Sequence, residues 1–185
     1  MDIKEALVDR VSNPALTEPG PTEKQLELIF KAALRAPDHG RLRPWRFITI
    51  KGDARNRLGD LFAEAVLSDQ KDLSEDALNR YRGMPLRAPV LIALVCKARQ
   101  HPKIPEIEQQ LSLGAAAQNI LHGAYAQGMG AMWRTGAISY HPMVASGLGL
   151  EANEQLLGFI YLGTPYGARK KRPELSIDDF VSAWE

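Results

Sequence analysis

At 185 residues, with 45% hydrophobic and 24% charged side chains, the chain has the balance of one ordinary globular domain with room for a real core. A formal net charge of +1 excludes the broad positive field that holds nucleic acid or anionic membrane, so any anion site must be local. Cys96 is the only cysteine, which rules out an intrachain disulfide and a cysteine-based zinc cage and fits a reducing cytoplasm.

The start, Met1-Asp2-Ile3-Lys4-Glu5, lacks the positive and apolar character of a signal peptide. The longest apolar run, residues 90–96, is too short to span a bilayer, so the expectation is a soluble, unprocessed, cytoplasmic protein of one domain over residues 1–185. Asp2 and Glu5 have capping-box spacing, and Ile3, Ala6, Leu7 and Val11 then fall on one helical face that must stop before Pro14. Residues 14–21 hold three prolines and a glycine and read as loop. Thr22 and Gln25 form a second capping box, after which Leu26, Ile29, Phe30, Ala33 and Leu34 keep helical spacing up to Arg35. Pro37 ends that run.

Residues 45–50, W-R-F-I-T-I, alternate and are rich in aromatic and β-branched types, so they predict a strand. Lys51-Gly52-Asp53 reads as a turn with a helix cap, ahead of an amphipathic helix marked by Leu58, Leu61, Phe62, Ala65 and Val66. Residues 70–84 are polar and read as a linker or a helical excursion, with Ser74 as its candidate cap. After Pro89, V-L-I-A-L-V-C has the length and β-branching of a strand buried on both faces. The longest helical pattern covers residues 106–127 and stops at Gly128. Its apolar and small residues spread around the circumference, which predicts deep burial, part of it under a second subunit.

Residues 130–138 predict a short strand carrying Trp133, Arg134 and Thr135, residues 142–148 a short helix, and residues 156–162 a strand ended by Gly163-Thr164-Pro165. The basic cluster at residues 169–172 reads as a solvated run, with a targeting or phosphate patch as the alternative, and an amphipathic tail ends at Trp184. Strands and helices do not alternate cleanly enough for a doubly wound sheet, so the order predicts an α+β fold.

Familiar catalytic motifs are missing. No G-x-G-x-x-G joins a strand to a helix, and no G-x-x-x-x-G-K-[ST], H-E-x-x-H or G-x-S-x-G occurs. The four histidines lack ligand-like spacing, so no metal site is expected. Three features remain: Arg10 with Ser12 at the end of the first helix, the arginine-rich residues 35–47 (R-A-P-D-H-G-R-L-R-P-W-R-F), and Trp133-Arg134-Thr135. Taken singly, each has a plain structural explanation: a dipole-complementing arginine, a basic surface loop, and ordinary strand packing. Together they supply arginines for bidentate phosphate contacts, hydroxyl donors and a tryptophan wall, which suit a phosphorylated planar cofactor.

The helix ending in Arg10-x-Ser12, the T-x-x-Q-L helix, A-P-D-H followed by P-W-x-F, the helix ending A-Q-G-M-G, then W-R-T-G and F-I-Y-L-G-T-P resemble the nitroreductase family. More narrowly they look like its small NAD(P)H nitroreductase (YdjA-like) branch. The resemblance implies a nitroreductase-like α+β fold, a central mostly antiparallel sheet flanked by helices, and an intertwined homodimer with FMN at the subunit interface. By position, it implies that Arg10, Ser12, Trp133, Arg134 and Thr135 hold FMN from one subunit while Arg35 and His39 approach it from the other. Gly123, Ala124, Tyr125, Ala126, Gln127 and Gly128 match the family's nicotinamide-nucleotide region. Two departures stand out: Val11 and Asn13-Pro14 leave one basic position of the family's opening unfilled, and Arg43 replaces an amide residue before P-W.

The implied activity is an FMN-dependent oxidoreductase that takes hydride from NAD(P)H, by ping-pong, and passes it to a small electron-poor acceptor such as a nitroaromatic or quinone. The flavin carries that chemistry, so no acid–base residue is expected. The alternatives are a flavin-dependent dehydrogenase or oxidase on the same fold, a non-catalytic FMN- or anion-binding module, and a nucleic-acid binder using the basic residues 35–46. The near-neutral charge argues against the last.

Overall fold

The structure is a computed structural model that describes residues 3–168 and 171–185. The capping box expected at Asp2 therefore lies outside the described residues.

Strand β3 (Val90–Lys97) is buried except at its last residue, as its unbroken apolar run requires. Its side chains alternate between two cores. Val90, Ile92, Leu94 and Cys96 face one helical layer, and Leu91, Ala93 and Val95 face another. On one side β3 pairs with β2 (Trp45–Lys51), Phe47 opposite Leu94. On the other it pairs with β5 (Glu154–Pro165), Ile92 opposite Ile160. The latter strand also pairs with β4 (Gly130–Arg134) and, at its far end, with the two-residue β1 (Leu16–Thr17). Every pairing is antiparallel.

The first helical layer consists of α2 (Glu23–Ala33) and α5 (Glu106–Ala126), which cover the Ile92 face. Helix α2 starts at the predicted capping box: Thr22 Oγ1 accepts from the Gln25 amide at 3.3 Å, and Gln25 Oε1 accepts from the Thr22 amide at 2.9 Å. The second layer is α3 (Ala54–Asp69) with α6 (Pro142–Gly147), which cover the Leu91 face. Helix α4 (Glu75–Arg82) lies on α3 so closely that a Cβ on Gly59 would come 2.3 Å from the Arg82 carbonyl oxygen. Each fully buried leucine or isoleucine in these cores contributes about 2 kcal/mol relative to exposure.

Several expected boundaries move. Helix α1 (Ile3–Asp9) stops well before Pro14, and its Ile3, Leu7 and Val8 are exposed. The loop at residues 14–21 contains β1. Asp53 precedes α3 without capping it: its backbone is helical, and its carboxylate accepts from the Asn56 amide and the Arg57 guanidinium. The polar residues 70–84 contain a true helix, α4, because the Ser74 hydroxyl accepts from the Ala77 amide. The strand predicted over residues 130–138 ends at Arg134, since Gly136, at φ 132°, turns the chain into a short 3-10 segment at Ala137–Tyr140. β5 runs longer than residues 156–162. The tail holds only the 3-10 turn Ile177–Asp179, and its apolar side chains are exposed.

Among the described residues no helix is long and apolar enough to cross a membrane, and no three histidine, cysteine, aspartate or glutamate side chains come together in a metal-binding cluster.

Candidate functional site

The segment leaving α1 lies along β4. The Asn13 amide donates to the Ala131 carbonyl at 3.0 Å, extending the sheet's pattern by one bond. Gly130 permits this approach, because a Cβ there would come 2.6 Å from Leu16 Cδ2 and 3.3 Å from Asn13 Cβ. Arg134, at the end of β4, donates from Nη2 to the Pro14 carbonyl at 3.1 Å. The end of β4 thus meets the segment that follows Ser12, 120 residues away in sequence.

Each of these two segments carries a buried guanidinium nitrogen that is left over. Arg10 Nη1 and Arg134 Nε are both buried and have no hydrogen-bond partner among the described residues. A buried donor without an acceptor costs about 1–3 kcal/mol, and it is retained where a ligand completes it. Burial, and after it the charge of Arg87, holds the Arg134 guanidinium below its usual pKa range. Its carbon lies 5.2 Å from the Tyr161 ring centroid, a cation–π contact.

Two open clefts flank the Arg10 segment. One, of about 630 Å³, is lined by Arg10, Val11 and Ser12 on one wall and by Lys171, Arg172 and Glu174 on the other. Arg172 also donates to Asp9 Oδ1 at 2.6 Å and to the Val8 carbonyl at 3.2 Å, closing the C-terminus of α1. The basic run is therefore not simply solvated; its first two members, Arg169 and Lys170, lie outside the described residues. Lys171 stands in the cleft where Val11 withholds a basic side chain. Composition marked this run as basic, but only the fold brings it to Ser12. The second cleft, of about 510 Å³, is lined by Val11, Asn13, Tyr125, Gly128, Met129 and Tyr166 among others.

Trp133 and Arg134 point to opposite faces of the sheet, as neighbours on a strand must. The Trp133 indole is half-buried against the α5 core, and its Nε1 donates to the Leu157 carbonyl at 3.1 Å. Gly158, at φ 113°, admits it, because a Cβ there would lie 2.9 Å from Trp133 Nε1. Trp133 is thus a pinned residue with one open edge rather than a free wall. Thr135 lies beyond the strand and is exposed.

Residues 35–47 have a different architecture from a plain basic loop. Gly40, Arg41 and Arg43 all adopt positive φ, at 69°, 56° and 51°. The Asp38 carboxylate accepts the Arg43 amide at 2.7 Å, so Arg43 is fixed through its backbone while its side chain stays exposed. Arg46 belongs to the fold: its guanidinium grips the buried Glu154 carboxylate with bonds of 2.8 and 2.6 Å and reaches the Gly149 carbonyl at 3.1 Å. This pairing pushes the Glu154 carboxyl down and the Arg46 guanidinium up. Arg35 is exposed, and His39 Nδ1 contacts Glu108 Oε2 at 2.6 Å.

Glu108 is in the first turn of α5, whereas Tyr125, beside the Arg10 segment, is in its last. At 1.5 Å per residue the two lie about 25 Å apart. No histidine side chain spans that, so one chain does not bring His39 to the Arg10 segment.

The six residues from Gly123 to Gly128 divide in two. Ala124 is fully buried, and Gly123 is partly buried beside α2, where a Cβ would come 3.4 Å from the Ile29 Cα. Gln127 spends its amide on the Gln25 and Gly123 carbonyls. Ala126 is exposed, and Tyr125 and Gly128 line the second cleft.

Comparison with known proteins places this arrangement. The model of the Nitroreductase family matches residues 10–164. The chain is 38% identical to "Putative NAD(P)H nitroreductase YdjA" of Escherichia coli (strain K12), over 89% of this chain and 89% of that protein. It is 35% identical to a Haemophilus influenzae protein named "Putative NAD(P)H nitroreductase", over 97% of this chain and 96% of the other. Among solved structures, a nitroreductase-like family protein from Bacillus cereus superposes with a TM-score of 0.84 at 21% identity, covering 100% of this chain and 97% of that one. The FMN and NADPH-dependent nitroreductase NfnB from Sphigopyxis sp. strain HMH gives a TM-score of 0.78 at 21% identity, covering 100% and 99%. With the family model matched over residues 10–164 and relatives of 35% and 38% identity matched over most of their length, the chain belongs to the nitroreductase family.

Proposed function

We propose that this chain is an FMN-dependent oxidoreductase that acts as a homodimer, takes reducing equivalents from NAD(P)H and passes them to a small electron-poor acceptor such as a nitroaromatic or quinone. The observation that carries this reading is the pair of buried guanidinium nitrogens, Arg10 Nη1 and Arg134 Nε, that have no acceptor among the described residues. The donor set suits FMN. Arg10, Ser12 and Lys171 share one cleft and offer a phosphate cationic and hydroxyl donors, while Arg134, Thr135 and the open edge of Trp133 lie along β4 for the ring.

When bound, FMN would supply the hydride chemistry. The protein's part is to bind and orient. Arg10 and Lys171 neutralise the phosphate, and the desolvated charge of Arg134 favours electron density on the ring. Nicotinamide and acceptor would take turns at the bound cofactor, which would give ping-pong kinetics.

A second copy of the chain would bring Arg35 and His39 to this site. Support comes from the large apolar side chains left exposed on α1, α2 and α5, among them Ile3, Leu7, Leu28, Leu34, Ile107 and Leu111, and from the exposed tail with Phe180 and Trp184. A monomer rarely shows so much apolar surface.

The test is direct. Purified protein supplied with FMN should be yellow and dimeric, should bleach with NADPH or NADH under anaerobic conditions, and should regain colour on adding a quinone or nitroaromatic. A protein that refuses added FMN, or whose flavin ignores both nucleotides, overturns the reading.

A further inference from the structure

The turn ahead of β2 carries two arginines that neither packing nor the flavin reading explains. Arg41 and Arg43 both sit in the left-handed backbone region, at φ 56° and 51°, which arginine rarely adopts. The Asp38 carboxylate holds the turn by accepting the Arg43 amide at 2.7 Å. Both guanidinium groups are nevertheless exposed, and neither makes a hydrogen bond or an ion pair among the described residues.

A second turn rests against the first. The Lys97 amide donates to the Pro44 carbonyl at 2.9 Å, and a Cβ on Gly40 would come 2.5 Å from Ile104 Cδ1, so residues 38–43 lie beside residues 98–104. There the buried Gln109 amide grips the Arg99 backbone twice, accepting its N–H at 2.9 Å and donating to its carbonyl at 2.8 Å. His101 Nδ1 accepts the Lys103 amide at 3.2 Å. The side chains of Arg99 and Lys103 are exposed and unpaired among the described residues. Nearby carboxylates are engaged elsewhere: Glu154 by Arg46, Glu151 by Lys97 and Glu108 by His39. Arg41, Arg43, Arg99 and Lys103 outnumber the acids left to them, Asp38 and Glu106. Strained backbone that its surroundings hold in place clusters at ligand clamps.

We propose that these paired turns bind the 2′-phosphate of NADPH, with Arg41 and Arg43 as the specificity-determining side chains and Arg99 and Lys103 adding charge. This rests on the functional reading above, in which a second copy of the chain carries His39 to the flavin. A dinucleotide whose nicotinamide lies on that flavin runs its adenosine end out past the turn that holds Arg41 and Arg43. NADPH differs from NADH only in the 2′-phosphate, a dianion that guanidinium groups recognise with paired hydrogen bonds. A long polyanion fits less well, because the formal net charge of the whole chain is only +1. The preferred donor is therefore NADPH.

FMN-loaded protein, an Arg41→Met, Arg43→Met double variant and the corresponding double lysine variant are titrated calorimetrically with 2′,5′-ADP and with 5′-AMP. The rates of anaerobic flavin bleaching by NADPH and by NADH are compared in the same samples. The parent should bind 2′,5′-ADP at least about tenfold more tightly than 5′-AMP, a preference lost in the methionine variant and partly kept in the lysine one. The ratio of the NADPH to the NADH bleaching rate should fall by a similar factor. The thermal melt of the methionine variant should match the parent, since both side chains are exposed and the residue 43 amide still reaches Asp38. Equal affinity for the two nucleotides in the parent, or an unchanged preference in the methionine variant, overturns the proposal. Flavin that neither NADPH nor NADH bleaches sinks the oxidoreductase reading. A preference for 2′,5′-ADP that still depends on Arg41 and Arg43 in such a protein would leave the phosphate site standing.

Discussion

Arg10 and Glu154 show two different uses of a buried charge. Glu154 is a matter of stability: its carboxylate is 1% exposed and fully engaged by Arg46, which is itself 37% exposed. Glu154→Gln should cost about 1–2 kcal/mol in denaturant unfolding, limited by the water that Arg46 keeps. Because the hydrogen bonds from Arg46 hold the folded carboxyl below its ordinary value of 4.5, the contribution is complete above that value and is lost as pH falls through the lower folded one. The acid limb of the parent's stability curve should therefore be steeper than that of the variant. Arg10 is a matter of ligand. Arg10→Ala should leave the melt of FMN-free protein nearly unchanged and weaken FMN binding about 10- to 100-fold, read by quenching of flavin fluorescence. An unchanged affinity would remove Arg10 from the site. At this scale the sequence was legible where a side chain announces its own chemistry, as at Arg10, and opaque where the reason is in the backbone. Arg43 is explained by the amide it gives to Asp38. Lys171 reaches the Ser12 cleft only through the fold.

At the scale of elements, punctuation decided what could be read. Thr22 and Gln25 announce α2 because each satisfies the other's amide. Thr22→Ala should destabilise by about 1 kcal/mol, lowering the melting temperature by about 3 °C in a calorimetric scan. β3 and α5 were legible from length and unbroken apolar character alone. Residues 130–138 were overextended because Thr135 and Ile138 suit a strand in isolation, while Gly136 turns the backbone out of it. The tail, amphipathic in sequence, leaves its apolar side chains in solvent in a single chain.

At the scale of the molecule, the α+β class followed from element order, the antiparallel sheet from the family resemblance, and the two-sided burial of β3 from its composition. The proposed division of the site did not follow from spacing or periodicity, because the length of α5 is what separates His39 from the Arg10 segment. The proposed dimer makes a separate prediction. Leu111 is 65% exposed on α5, so Leu111→Glu costs a monomer almost nothing, yet it would place a charge in an apolar interface. Sedimentation should show monomers, and FMN should be lost with the dimer. A dimer that persists with its flavin would move the interface away from α5.

β5 has a consequence for how the protein is made. It is the last strand in the chain, and β1, β3 and β4 all pair with it. Until its residues leave the ribosome, the fully apolar β3 has a partner on one edge only, and α5 has half a sheet to cover. Synthesis takes seconds, whereas antiparallel pairing over such separations must wait for the strand itself. The nascent chain should stay protease-sensitive and bound to chaperones until β5 emerges, then close in one late cooperative step. A truncation before Glu154 should not give a smaller stable domain; it should aggregate.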